Sequence, residues 1–210
     1  MTLSRPFSTA AMMTKQFWLK PFKPLSSVHS VDVVGRVLRE KNQLTVSYEV
    51  LSDEKSAGCD NVLVPGILWQ TIGLNCFISP VGNSQYWEFD FSPQEDWLSS
   101  FFTLDEDLST WSFKVCPNQD WSVYQFEGYR KGKQAVPMVS TVSYSMLSTP
   151  RALHTSLKID LDELLLSDQM LRIGVSAVTC LKDQQMIHWA LAHPETTPDF
   201  HHPDSFALSV

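Results

Sequence analysis

The sequence lacks both the long apolar run of a membrane protein and the basic excess of a nucleic acid-binding protein. No stretch of its 210 residues approaches the roughly 18 consecutive apolar residues that a membrane-spanning helix requires. Sixteen Lys and Arg stand against 23 Asp and Glu, and the resulting net charge of −7 repels phosphate backbones. We therefore expect neither a membrane nor a nucleic acid as a partner.

Motifs of the common catalytic and nucleotide-binding sites are missing as well. The chain has no G-x-S-x-G, no glycine-rich phosphate loop and no C-x-x-C. Glu88 with Asp90, or Glu95 with Asp96, could form a glycosidase pair, but acidic neighbours in a strand or turn more commonly form a solvated face. We predict a protein that is not an enzyme and that needs no cofactor.

Nothing in the cysteine pattern indicates a secreted, disulfide-stabilised protein. There is no Asn-x-Ser/Thr glycosylation acceptor, and the chain is too large to need covalent staples. Reduced thiols and a cytoplasmic location are expected. The four cysteines lie far apart, at Cys59, Cys76, Cys116 and Cys180.

Short apolar runs alternate with turn signals along nearly the whole chain. In Gln43–Ser52, apolar residues occupy every second position, which is typical of a half-buried antiparallel strand. Met170–Leu181 and Met186–Ala192 are predicted to pair as a hairpin. Ten or more such strands favour an all-β, antiparallel β-sandwich over any α/β architecture. At this length, one domain over residues 16–210 accounts for the chain, and the basic segment 1–15 is predicted to be a disordered leader.

Aromatic residues are concentrated in Tyr86–Arg130, which contains four of the seven tryptophans and states one pattern twice. Trp87-x-Phe89-x-x-x-Pro-x-x-Asp-Trp is followed by Trp111-x-Phe113-x-x-x-Pro-x-x-Asp-Trp. Each copy predicts a strand, a proline-aspartate turn and a returning strand, hence two aromatic hairpins. Alternation alone explains these aromatic residues as core.

Four stretches carry a resemblance to a known group of proteins. They are LWQTIGLNCFI (68–78), YWEFDFSPQEDW (86–97), DWSVYQFEGYRKG (120–132) and HWALAHPETTPDFHHPDSF (188–206). Together they resemble the DOMON-like proteins, which are in turn similar to the family 9 carbohydrate-binding modules. The resemblance spans most of residues 16–210 and implies an immunoglobulin-like antiparallel sandwich.

The chain departs from that pattern in the middle. In the resembling family, the YWEF strand runs through one turn into the aromatic FDGYR strand, whereas here residues 98–121 stand between them. An additional or duplicated hairpin in this segment would expose a sheet edge. This gives an alternative function, a protein-protein interaction domain that uses the added hairpin.

The resemblance also implies candidate ligand-binding residues. It places Trp69 and Trp189 near two positions whose rings stack on sugar in the binding modules, and it puts Asn75 where those modules carry a glutamate. Arg130 and His193 are the further polar contacts. Because a flat π-face covers the apolar face of a pyranose and polar neighbours take its hydroxyls, a saccharide or similar polar small molecule is the predicted ligand.

Two other sites are weighed against this one. Some DOMON domains bind heme through Met and His, and seven methionines and six histidines permit that alternative without identifying an axial pair. The C-terminal loop contains metal-ligand residue types, yet it has neither H-E-x-x-H nor a cysteine pair, so turn capping is the favoured explanation. Its members are His188, His193, Asp199, His201, His202 and Asp204.

Overall fold

The fold is built almost entirely of antiparallel strands in two sheets. A computed structural model describes residues 12–25, 31–52, 73–91, 111–113, 121–135, 142–148, 152–162, 164, 169–180 and 186–210. Within these residues the one helical element is a 3-10 turn at Pro203–Ser205, and no helix is long and apolar enough to cross a membrane. The predicted all-β sandwich is confirmed.

The first sheet has six strands in the described part of the chain. Neighbours along it pair antiparallel, and the long strands pair over their full length. From one edge to the other, the strands are β1 (Met13–Trp18), β3 (Val31–Glu40), β4 (Gln43–Ser52), β11 (Ala152–Asp160), β10 (Val142–Ser148) and β7 (Trp111–Phe113).

The second sheet has eight strands among the described residues. In order they are β2 (Lys20–Pro21), β13 (Met186–Ala190), β12 (Leu171–Cys180), β5 (Gly73–Pro80), β6 (Tyr86–Phe91), β8 (Trp121–Phe126) and β9 (Gln134–Ala135), with β14 (Leu208–Ser209) beside β12. The predicted hairpin between β12 and β13 is confirmed, and Cys180 pairs with Met186 where it closes.

The core lies between the two sheets, because the apolar residues of each strand fall on one face. In β4, Leu44, Val46, Tyr48 and Val50 are buried, while the residues that alternate with them are half-buried. Cys76 and Ile78 of β5 meet them from the other sheet in the same cluster. Each fully buried aliphatic side chain contributes about 1.5–3 kcal/mol, so this alternation provides most of the driving force for folding.

The central strand β5 is buried on both of its faces, unlike β4. Its outward-facing Phe77 packs against Phe206 of the C-terminal segment, with ring centroids 5.4 Å apart. Phe206 reaches that position over Gly174, where a Cβ would lie only 2.5 Å from the Phe206 ring. A second hydrophobic cluster thus covers the outer face of the second sheet, and it consists of Phe77, Tyr86, Phe126 and Phe206.

The structure corrects one predicted boundary and one predicted hairpin. β1 begins at Met13, so the predicted leader 1–15 overlaps three residues that pair with β3, and residues 1–11 lie outside the described residues. β7 joins the first sheet through β10 while β8 joins the second through β6. The strands that flank the second proline-aspartate stretch therefore do not form a hairpin with each other. Residues 98–110 and 114–120 of the proposed added hairpin lie outside the described residues.

Candidate functional site

A row of polar side chains crosses three adjacent strands on the outer face of the second sheet. Ser176 of β12 pairs with Asn75 of β5, which pairs in turn with Asp90 of β6. The Asn75 Nδ2 donates to Asp90 Oδ1 at 3.2 Å, and the Ser176 hydroxyl donates to Asn75 Oδ1 at 3.5 Å. Cross-strand register and hydrogen bonds together hold these groups in fixed positions. We call Ser176, Asn75 and Asp90 the polar row.

Glu88 lies beside the polar row, on the same face of β6 as Asp90, and is only 8% exposed. The pKa of Glu88 is raised to about 7, mainly by burial and also by the neighbouring Asp90, while Lys133 partly offsets both. The His201 Nε2 lies 3.8 Å from Glu88 Oε1, beyond direct hydrogen-bonding distance. Near neutral pH both protonation states of Glu88 are populated, so this carboxyl can accept or donate a hydrogen bond.

A hydrogen-bonded chain through Tyr86 fixes the orientation of His201. The Arg130 backbone N–H donates to the Tyr86 hydroxyl at 3.3 Å, and that hydroxyl lies 3.0 Å from His201 Nδ1. The pKa of His201 is lowered to about 4, mainly by burial and also by the positive charges of Arg130 and Lys133, while the negative charge of Asp199 partly offsets them. The imidazole is therefore neutral at pH 7. The Tyr86 hydroxyl and His201 Nδ1 are hydrogen-bonded, and Nε2 is the ring nitrogen that faces Glu88.

Aromatic rings border the polar groups on the same face. The rings of Tyr86 and Phe126 stack with centroids 4.7 Å apart and an interplanar angle of 2°. Tyr124, the cross-strand partner of Glu88, has the Lys133 ammonium 3.8 Å from its ring centroid. Tyr86 and Phe126 are each 3% exposed, so Tyr124 is the partly exposed ring among these three that lies beside the polar groups.

The predicted contact residue Arg130 is engaged with Asp199. Its Nη2 donates to Asp199 Oδ1 at 2.8 Å, while the Tyr129 hydroxyl and the His201 backbone N–H also donate to that carboxylate. Burial alone would raise the pKa of Asp199, but these hydrogen bonds leave it below its usual range. Arg130 thus fastens the turn after β8 to the C-terminal segment, although its side chain remains 55% exposed.

The structure places Trp189 in the core between the sheets, where it is 2% exposed. Its indole N–H donates to the Thr179 hydroxyl at 2.8 Å, so the polar atom of the ring is satisfied inside the protein. A ring packed in this way cannot stack on a ligand that approaches from solvent. The ligand-stacking assignment of Trp189 is therefore corrected to a core role.

Of the remaining two predicted residues, His193 lies apart from the polar row and Trp69 lies outside the described residues. The His193 Nε2 is 2.8 Å from the Lys20 carbonyl oxygen, and its ring packs edge-on against Phe22, so it joins the segment after β13 to β2. In the sequence, Trp69 comes shortly before Gly73, where β5 begins. Of the five predicted residues, the structure places Asn75 in the polar row.

The C-terminal loop uses its acidic and histidine side chains to cap turns. Asp199 accepts from the His201 N–H at 2.9 Å, and His202 Nδ1 accepts from the Asp204 N–H at 3.2 Å. Across the residues that the structure describes, no group of three or more His, Cys, Asp or Glu could hold a metal ion. The heme alternative, which named no axial pair, stays a prediction.

Glu88 and Asp90 are site residues that the sequence pattern did not identify, because alternation with the aromatic residues assigned them to a solvated face. Glu88 is buried because the C-terminal segment lies over this side of the sheet, beside the Phe77 and Phe206 cluster. One signal was present in the sequence. Residues 74–80 are apolar at nearly every position, and such a strand is covered on both faces.

The chain matches no protein-family model, and no curated protein shows significant sequence similarity to it. A solved structure, "a putative carbohydrate-binding protein" from Bacteroides uniformis, is similar with a TM-score of 0.55 and 12% sequence identity. The superposition covers 90% of this chain and 83% of that one. At this identity the likeness concerns the fold, so the chain has an all-β sandwich fold similar to that of the Bacteroides protein.

Proposed function

We propose that this protein is a non-catalytic module that binds a saccharide or a similar polar small molecule on the outer face of the second sheet. The observation that carries the proposal is the polar row with Glu88 beside it, bordered by the partly exposed ring of Tyr124. The fold shared with a protein described as carbohydrate-binding agrees with it. The finer relationship to DOMON-like proteins and family 9 modules is part of this proposal.

The chemistry of the row suits vicinal hydroxyl groups. Asn75 offers an amide and Asp90 a carboxylate, so the row contains both donors and acceptors, while Ser176, which is 2% exposed, positions Asn75 through its hydrogen bond. Glu88 is desolvated, which strengthens any hydrogen bond that it makes to a ligand. Sugar hydroxyls both donate and accept, and they can therefore satisfy a mixed row of this kind.

Trp69 is the stacking residue in this proposal, by its resemblance to the position in the binding modules. The chain places it six residues before Asn75. Arg130 supports the site by holding the turn after β8 against the C-terminal segment.

The proposal is tested by applying the full chain to a glycan array and titrating the strongest hit by calorimetry. Asn75→Ala should weaken binding about tenfold, since it removes the central member of the row. Thr45→Ala changes a strand residue of the other sheet and should leave the affinity unchanged. An array without any hit, or equal affinity of the wild type and Asn75→Ala, would contradict the proposal.

A further inference from the structure

The outer face of the first sheet contains a depression of about 550 Å³ that the proposed site does not use. Its volume lies within the roughly 300–1,000 Å³ of small-molecule sites. Residues of five strands line it, among them Gln16, Trp18, Arg36, Ser47, His154 and Ser156.

Polar residues at the floor of this depression lie in one cross-strand row. Gln16 of β1 pairs with Arg36 of β3, Arg36 with Ser47 of β4, Ser47 with Ser156 of β11, and Ser156 with Ser145 of β10. The row therefore crosses five adjacent strands. Four inter-strand spacings of about 4.8 Å give it a length of about 19 Å, which is longer than a single sugar ring.

Contacts among these side chains hold the row in place. The Ser47 and Ser156 hydroxyl oxygens are 3.1 Å apart and hydrogen-bonded. In the next row, His154 Nδ1 lies 3.4 Å from Glu49 Oε1. Arg36 and Glu49 bring one positive and one negative charge, so the depression suits a ligand that is polar and uncharged.

An exposed aromatic ring stands at one end of the depression. Trp18 is 66% exposed although it is a large apolar residue, and it lies on the edge strand β1. Single exposed apolar residues are common, but here the indole borders a polar depression. An indole offers a flat face for the C–H side of a pyranose, while hydroxyl, amide and guanidinium groups meet the ring's polar edge.

Gly35 lines the depression at a position with no room for a side chain. A Cβ at this position would lie 2.0 Å from the Ser47 carbonyl oxygen and 2.5 Å from the Phe17 ring. The backbones of β3 and β4 thus approach so closely that no side chain fits between them.

An antiparallel sheet with a polar outer face usually meets water and nothing else. The depression, the five-strand row and the exposed indole occur together here. We propose that this depression is a second ligand-binding site, which takes an extended, uncharged oligosaccharide chain with one sugar ring over Trp18. The site shares no residue with the polar row, so it stands or falls independently of the proposed function.

The test is calorimetric titration of the full chain with cellohexaose, xylohexaose and maltohexaose and with the corresponding monosaccharides. At least one hexasaccharide should bind more tightly than its monosaccharide. Trp18→Ala and Arg36→Ala should each weaken that binding about tenfold or more. Trp18→Phe keeps a flat ring and should retain most of the affinity.

Two controls separate this site from its surroundings and from the polar row. Lys158→Ala is the control for Arg36→Ala, because Lys158 of β11 is also a cation but does not line the depression. It should leave hexasaccharide binding unchanged. Asn75→Ala should also leave it unchanged. If no hexasaccharide binds, or if binding survives both Trp18→Ala and Arg36→Ala, the proposal is overturned. A loss with Asn75→Ala alone overturns it too, and assigns the binding to the second sheet.

Discussion

The guanidinium of Arg130 donates to the buried carboxylate of Asp199 at 2.8 Å and so joins the turn after β8 to the C-terminal segment. Arg130 has a left-handed backbone, with φ of 53°, which non-glycine residues adopt only where the surroundings compensate. Its backbone N–H donates to the hydroxyl of Tyr86, which in turn contacts His201. This junction therefore holds the cover over the outer face of the second sheet together with the packing of Phe206 on Phe77.

Asp199→Ala should lower the free energy of unfolding by about 2–4 kcal/mol, because it leaves a guanidinium, a phenol and a backbone N–H without their shared acceptor. Denaturant unfolding monitored by tryptophan fluorescence measures this change. Asp204→Ala is the matched control, since the Asp204 side chain is 76% exposed and should contribute less than about 0.5 kcal/mol. Equal unfolding free energies of the two variants would contradict a stabilising role for the Arg130–Asp199 junction.

Acid should weaken the same junction. The pKa of Asp199 is held below its ordinary value in the folded state, so its stabilising contribution is complete above that ordinary value and is lost as pH falls through the folded pKa. Asp199→Asn should accordingly flatten the fall in unfolding free energy at acidic pH. Denaturant unfolding of both proteins at several pH values below 5 tests this expectation. An unchanged slope in the variant would contradict it.

Glu88 should have the opposite dependence on pH. Its pKa rises from 4.5 to about 7 on folding, mainly through burial, so the folded state binds more protons than the unfolded chain between these values. Stability therefore falls as pH increases through this window. Glu88→Gln should remove this dependence of the unfolding free energy on pH. It should stabilise the protein at pH 8 by about 1–2 kcal/mol, a magnitude reduced for the partial exposure of the group.

Unfolding free energies measured from pH 4 to 8 decide this prediction. Glu40→Gln changes an exposed carboxyl at the end of β3 and should keep the wild-type profile. If the unfolding free energy of Glu88→Gln depended on pH as strongly as that of the wild type, Glu88 would not be the desolvated group.

The packing of Phe206 over the second sheet can be tested at Gly174. Gly174→Ala places a Cβ 2.5 Å from the Phe206 ring and should destabilise the protein by about 1–3 kcal/mol, because the ring and the C-terminal segment must shift. Gly73→Ala in the adjacent strand is the control, since its nearest neighbour, Val178 Cβ, is 4.0 Å away. Thermal unfolding of both variants measures the difference, and equal midpoints would contradict the close approach.

Much of the fold could be predicted from local pattern. Alternation in Gln43–Ser52 gave a strand with the observed bounds, and the two apolar runs around residues 182–184 gave the observed β12–β13 hairpin. In both cases the signal lies within a few residues of the structure that it predicts. Apolar residues at every second position are sufficient to predict a strand, and a short loop between two such runs is sufficient to predict a hairpin.

Long-range relationships could not be predicted in the same way. Alternation places Trp189 and His188 on opposite faces of β13, but it does not say which face is inward, and the indole turned out to be buried. The two tryptophan motifs look alike, yet β7 and β8 belong to different sheets because strand pairing depends on distant partners. Glu88 is buried by residues more than one hundred positions further along the chain.

The central claim, that a saccharide binds on the polar row, is tested most directly by NMR chemical-shift mapping. The isotope-labelled full chain is titrated with the glycan that binds most tightly on the array. The account predicts that the backbone amides of Asn75, Glu88, Asp90 and Ser176 and the side-chain amide of Asn75 shift in proportion to occupancy. Saturation of binding with these signals unmoved, or the absence of any glycan that binds, would contradict it.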